Sequence, residues 1–402
     1  MEYRSGLHTR VLERLDAYRK AALAIYENPE TSNHEYFARD TLSGLLQEAG
    51  FTIVKDVAGH PTGFTASYKA QKPGPVIVFL AEYDALPGIG HACGHNLFGA
   101  TSSLAAEALK SVIDETGGEV RVYGTPGEEG GENGSAKASF VRAGFFRDVD
   151  AALCVHPSRD GHILTCSSLA CAPVDIEFHG RASHAASAPE KGINALDALI
   201  AVYNSINALR QHLTSDVRIH GIITHGGDVP NVVPEYAAAK FYLRAATAPG
   251  LDVLYRKVEN IVKGAALATG ATGSMKPSQN RVDNSVITPS FDAVYALELA
   301  RFGFIAEAPE SVKSIGSTDV GNVSQVIPTI QPQIRISDTP IAGHSEAFKK
   351  AAGSQKGLDS IGLGAEVLAA TALRLILEPT LLQTIQTEHR AQVAHQEESN
   401  PS

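Results

Sequence analysis

The apolar positions of this chain follow two different periods. Between Arg10 and Tyr26 they recur at helical spacing, as Val11, Leu12, Leu15, Tyr18, Ala22 and Ile25, which predicts an amphipathic helix. A second helix is expected over 36–48, ended by Gly50, a residue suited to the left-handed turn that closes helices. Pro75 to Ala81 is an unbroken run of β-branched and apolar residues, as expected of a strand covered on both faces. A helix over 96–112, a strand over 119–124, a helix over 135–143 and a short strand over 150–155 follow. Strands alternating with helices point to an α/β fold with a mostly parallel sheet.

The period changes at Pro173. Residues 173–180 alternate apolar and polar, as a half-exposed antiparallel strand does. A helix over 194–212, strands over 218–224 and 237–245, and a helix over 251–267 complete a β-α-β-β-α unit. From about Val286 the earlier pattern returns, with helices over 291–302 and 362–377. The reading is an outer domain of 1–170 and 285–402, interrupted by an α+β domain of 171–284. The polar tail beyond Thr387 is expected to fray.

Composition narrows the class. The 402 residues are 44% hydrophobic and 19% charged, which excludes a disordered or fibrous chain and suits two domains. A net charge of −10 argues against nucleic acid or an anionic membrane as partner. The N-terminus lacks the apolar core of a signal peptide, and no run approaches the ~20 apolar residues of a membrane span. A soluble cytoplasmic protein is expected. Four cysteines are too few for a disulfide scaffold. Fifteen histidines remain unexplained, and neutral imidazole is the commonest transition-metal ligand.

Four motifs carry candidate chemistry, three of them just past predicted strands, where an open α/β sheet binds its ligands. After the strand ending at Ala81 come Asp84 and then His91-Ala-Cys93-Gly-His95-Asn96. Cys93 and His95 can reach one transition metal, with Asp84 orienting an imidazole. Alone, this motif equally describes a buried thiol beside a loop histidine. Gly124-Thr-Pro-Gly-Glu128-Glu129-Gly-Gly places two adjacent carboxylates at a strand end, an arrangement that a cation would relieve and that a solvated acidic loop would also explain. His156 closes the strand ending at Val155, and His344 lies in Ala342-Gly-His-Ser-Glu. Together Cys93, His95, Glu129, His156 and His344 supply donors for two metal ions, with Glu128 left as a base. That set indicates a metal-dependent hydrolase.

The motifs Ala-Glu-Tyr-Asp-Ala-Leu-Pro, Gly-His-Ala-Cys-Gly-His-Asn, Gly-Thr-Pro-Gly-Glu-Glu-Gly-Gly, Asp-Ala-Ala-Leu-Cys-Val-His-Pro and Gly-Arg-Ala-Ser-His-Ala-Ala resemble, in that order, the dinuclear-metal amidohydrolases. That family includes aminoacylases, glutamate carboxypeptidases and auxin-conjugate hydrolases. The branch most resembled is that of p-aminobenzoyl-glutamate hydrolase and the Xaa-Arg or β-alanyl-lysine dipeptidases. The resemblance implies a catalytic α/β domain with an inserted lid that also forms a homodimer. It implies Cys93, His95, Glu129, His156 and His344 as ligands of two divalent ions (Zn or Mn, with Co possible), Glu128 as general base and Asp84 as supporting carboxylate. His184 would stabilise the oxyanion in the partner subunit's site, and Asn231 and Arg244 would hold the substrate carboxylate. Many relatives carry Asp where this chain has Asn96, and Glu82 occupies a position of varied identity, so Glu82 is not assigned as a ligand. The implied reaction is hydrolysis of an N-acyl amino acid or dipeptide-like amide. Two other readings are a serine hydrolase using Ser345 and a metal-free binding protein on the same fold.

Overall fold

Every residue of strand β3 (Val76–Ala81) after Val76 is fully buried, and its two faces serve different cores. Ile77, Phe79 and Ala81 belong to the larger core, Val78 and Leu80 to a smaller one with Phe98, Tyr123, Phe140 and Val323. Alternation of side chains along a strand produces this division, and the need to fill both faces explains the unbroken apolar run. The structure is a computed structural model that describes residues 2–308 and 316–398. Two compact units result, one of residues 1–168 with 285–395 and one of 169–284 with the chain end from 396.

The first unit begins with helices α1 (Glu2–Glu27) and α2 (Tyr36–Glu48), then the hairpin β1 (Thr52–Val57) and β2 (His60–Lys69). Strand β3, helix α3 (His95–Thr116), β4 (Glu119–Gly124), helix α4 (Ala136–Arg142), β5 (Ala151–Leu153) and β6 (His156–Ser158) follow. After the second unit come α7 (Pro289–Ala300), α8 (Val320–Ser324), β11 (Thr329–Ile330), β12 (Gln333–Arg335), α9 (Glu346–Ala352), α10 (Gln355–Leu377) and α11 (Pro379–Glu398). Six strands form one sheet in the order β1-β2-β4-β3-β5-β11. β3, β4, β5 and β11 run parallel, and the hairpin adds two antiparallel strands at the edge. Alanine and leucine on α3 let it pack closely against α1 and α10.

The structure adds a hairpin and corrects two expectations. The hairpin went unread because β1 is mostly exposed and because Ala58-Gly59 makes its turn, both at positive φ (54° and 81°). Such turns normally announce themselves by Asn-Gly or Asp-Gly. The chain end does not fray at Thr387: α11 continues to Glu398, anchored where His389 donates to the Ser324 carbonyl at 2.6 Å. Finally, α10 is long and apolar enough to cross a membrane by composition, but 78% of its apolar window is buried in the protein.

The second unit holds β7 (Ala170–His179), α5 (Ala195–Leu209), β8 (Arg218–His225), β9 (Tyr236–Ala245), α6 (Ala248–Thr269) and β10 (Thr272–Pro277). Its antiparallel sheet has the order β10-β7-β9-β8, and α5 and α6 pack their apolar stripes on it. Asn194 caps α5 by accepting from the Leu196 and Asp197 amides, and Thr247 caps α6, the bonds that helix N-termini require. β8 is an edge strand on which Ile222 and Ile223 are 64% and 45% exposed.

Candidate metal centre

The carboxyl ends of three parallel strands converge. β3 runs into Glu82, Tyr83 and Asp84, β4 into the loop bearing Glu128 and Glu129, and β5 is followed by His156. His95 opens α3 behind Gly94, whose φ of 80° favours glycine and whose added Cβ would lie 2.9 Å from Pro157. Gly99, one turn on, lies so close to the Glu82 carbonyl that a Cβ would approach it at 2.7 Å. Glycine thus seats α3 directly on the β3 terminus. His344 arrives from far along the chain with φ 53°, its amide bonded to the Ala92 carbonyl at 3.1 Å. A histidine in this left-handed region is strained.

The five donors fall into two groups that share one atom. Cys93, His95 and His156 offer ligand atoms all within 4.8 Å of one another, and so do Cys93, Glu129 and His344. Cys93 Sγ lies 3.5 Å from His156 Nε2, and His344 Nε2 lies 3.5 Å from Glu129 Oε1. His95 Nδ1 contacts Asp84 Oδ1 at 2.9 Å, and the other Asp84 oxygen accepts the Glu129 amide at 2.9 Å. One carboxylate therefore fixes two of the donor residues. With Nδ1 so engaged, His95 turns Nε2 toward the cluster. His156 is held likewise through Nδ1, donating to the Pro157 carbonyl at 2.7 Å. His95 Nε2 and Glu129 Oε1 are buried with no partner but a charged neighbour, Glu82 at 3.2 Å and His344 at 3.5 Å respectively. Buried polar atoms are seldom left so, and soft and hard donors around one thiol suit a pair of divalent cations.

Electrostatics agree with that fit. Burial, then the Glu82 and Glu129 carboxylates, push Glu128 well above the ordinary carboxyl range. Burial also raises Glu129, with Asp84 adding to the shift. Burial, reinforced by Glu129, raises the Cys93 thiol. For His95, burial alone would lower proton affinity, but Cys93 and Asp84 outweigh it and hold the ring high. Burial and crowded acidic groups thus disfavour the charged forms of Glu128, Glu129 and Cys93, a cost that divalent ions bound there would offset.

Several residues here carry no local sequence signal. Glu82 Oε2 lies 3.2 Å from His95 Nε2, and Glu82, His95 and Glu128 make a third close group. Lys137 lies between Glu82 and Asp319, at 2.7 and 2.6 Å, with all three side chains fully buried. Glu35 accepts from Thr62 at 2.7 Å and from the Gly127 amide at 2.9 Å, tying α2's entry to the loop of Glu128. Asn96 donates to the carbonyls of Ala22 and Ala352 at 3.3 and 3.2 Å, two bonds an aspartate could not make. That is a structural reason for an asparagine at this position. Ser345 caps α9, accepting from the Phe348 amide at 3.2 Å while donating to the Ala342 carbonyl at 2.6 Å. Its hydroxyl is a helix cap, and among the described residues its hydrogen bonds go to the backbone and not to a base.

The remaining candidates belong to the second unit. His184 is exposed, and its Nδ1 accepts from the amides of Ala186 and Ser187, both at 3.2 Å. The ring proton is thereby assigned to Nε2, leaving an N–H free to donate outward. Asn231 is exposed beside it, its carbonyl accepting the Ala185 amide at 3.0 Å. Arg244 is on β9, its Nε 3.4 Å from His220 and its guanidinium 5.5 Å above Tyr242.

Comparison with known proteins accords with these observations. Residues 172–269 match the family described as peptidase dimerisation domain. The Xaa-Arg dipeptidase of Mus musculus is 35% identical over 409 positions, covering 97% of this chain and 94% of the relative. A p-aminobenzoyl-glutamate hydrolase chain of Escherichia coli is 32% identical, covering 93% of this chain and 92% of the relative. Among solved structures, a Bacillus subtilis protein described as a dinuclear metal binding peptidase superposes with a TM-score of 0.63 at 21% identity, covering 92% of this chain and 99% of that one. The chain belongs to the M20 family of metal-dependent amidohydrolases.

Proposed function

We propose that the protein is a dinuclear metallohydrolase that cleaves the amide bond between an acyl or aminoacyl group and an amino acid bearing a free carboxylate. The observation that carries this reading is the sharing of Cys93 Sγ between two donor groups, with Glu128 beside them. His95 and His156 on one side, and Glu129 and His344 on the other, would hold the two ions. Zn²⁺ suits the thiolate and imidazole donors, and Mn²⁺ is the alternative for the carboxylate-rich side. Bound there, the ions would supply a water of lowered pKa and polarise the scissile carbonyl.

The protein's own groups then have distinct tasks. Glu128, whose burial among carboxylates raises its proton affinity, takes the proton of the attacking water and delivers it to the departing amine. His184 of a partner subunit, with its N–H directed outward, donates to the oxygen that gains negative charge. Arg244 and Asn231 bind the substrate carboxylate. The matched dimerisation domain and the apolar edge of β8 support a homodimer.

The test is a substrate panel of p-aminobenzoyl-glutamate, N-acyl amino acids and dipeptides ending in Lys or Arg, assayed with Zn²⁺ and with Mn²⁺. Hydrolysis that a chelator abolishes and added metal restores is expected. Turnover indifferent to chelation would refute the proposal.

A further inference from the structure

Lys137 has no place in the reaction described above, yet it is the only buried lysine or arginine among the described residues. Its location is costly twice over. It lies in the first turn of α4, where the helix dipole disfavours a cation, and it is wholly removed from water. Asp319, distant in sequence, answers both costs. Asp319 Oδ1 meets Lys137 Nζ at 2.6 Å, and Oδ2 accepts the Lys137 amide at 3.1 Å. A single carboxylate thus neutralises the ammonium and supplies the helix with the bond its N-terminus needs.

Glu82 is a second carboxylate on the same ammonium, at 2.7 Å, and stability gives no reason for it. Asp319 already matches the ammonium, so Glu82 places a second acidic group on this buried lysine. Glu82 Oε2 faces His95 Nε2 at 3.2 Å, the nitrogen that Asp84 turns toward the metal cluster. This second acidic group therefore faces the place where a cation would bind.

We propose that Lys137, clamped by Asp319, is a positioning residue for the metal centre: it holds the Glu82 carboxylate against the metal-facing nitrogen of His95, and through Glu82 it sets how tightly the ion at Cys93, His95 and His156 is retained. Lys137 touches neither substrate nor ion. It acts by preventing Glu82 from turning away from the metal-facing side of His95. The proposal rests on the dinuclear reading of the site.

Metal-free protein is titrated with Co²⁺ against a chromophoric chelator, and the visible spectrum of the Co²⁺ form is recorded. The proteins are the parent, Glu82→Gln, Lys137→Met and the double variant. Glu82→Gln leaves Lys137 and Asp319 as a balanced pair, so it retains the fold. Each single variant is expected to weaken Co²⁺ retention by about 10- to 100-fold and to alter the spectrum. The double variant should be no weaker than Glu82→Gln alone, because Lys137 acts through Glu82. Should Lys137→Met not fold, Glu82→Gln, which keeps the Lys137–Asp319 pair, decides the matter. Unchanged retention in Glu82→Gln, or a further loss on adding Lys137→Met, would overturn the proposal. A parent protein that binds no Co²⁺ would instead overturn the dinuclear reading itself.

Discussion

At Glu128 the demands of catalysis and stability oppose one another. Its carboxyl is buried beside Glu82 and Glu129, an arrangement that raises proton affinity and suits a group that must accept and then return a proton. Glu128→Gln should lower kcat by about 10²- to 10⁴-fold while metal content, measured on the purified variant, stays at the parent level. Asn96→Asp tests the opposite kind of residue. The new carboxylate would meet the Ala22 and Ala352 carbonyls. A loss of about 1–3 kcal/mol in denaturant unfolding is expected. The candidate donors Cys93, His95, Glu129, His156 and His344, which the structure brings into two close groups, could be read from the sequence because metal chemistry restricts residue type and because most of them follow strand ends. Glu82, Lys137 and Asp319 were not. Lys137 and Asp319 are 182 positions apart, and no periodicity reports a partnership at that distance.

Among the elements, α7 provides a pH-dependent test. Asp292 is buried on α7 and accepts from the Thr165 amide and hydroxyl at 3.2 and 2.6 Å. Burial pushes its pKa up from the ordinary 3.8 to about 6. The folded state therefore holds this proton more tightly than the unfolded state. The stability it contributes is complete below about pH 4 and is lost as pH rises through about 6. Asp292→Asn keeps an oxygen that accepts both bonds, and should be more stable than the parent at pH 8 by about 3 kcal/mol at most. Chemical unfolding at pH 4 and pH 8 measures the difference. Elements with a buried face, such as β3 and α3, announced themselves through their apolar period. The β1–β2 hairpin did not, since β1 is largely exposed and its turn uses Ala58, a residue ill-suited to positive φ. β10 likewise went unread: its burial pattern shows no fully buried residue, so no apolar alternation marks it.

For the whole molecule, the account requires two chains and two ions per site. β8 ends the sheet of the second unit with Ile222 and Ile223 exposed, and an apolar edge strand invites pairing. Ile222→Lys should shift the protein toward monomer in light scattering and lower turnover with it. If His184 serves the partner's site, co-refolding inactive Glu128→Gln with inactive His184→Ala should recover part of the parent activity, because mixed dimers hold one intact site. The catalytic expectations depend on the shared thiol. The most direct test is therefore to count the metal ions bound per chain, in the parent and in Cys93→Ser, after reconstitution of metal-free protein. The account predicts about two ions in the parent and weakened retention of both in the variant, since each group loses the same donor. A parent that binds none, or a variant that loses neither ion, would contradict it.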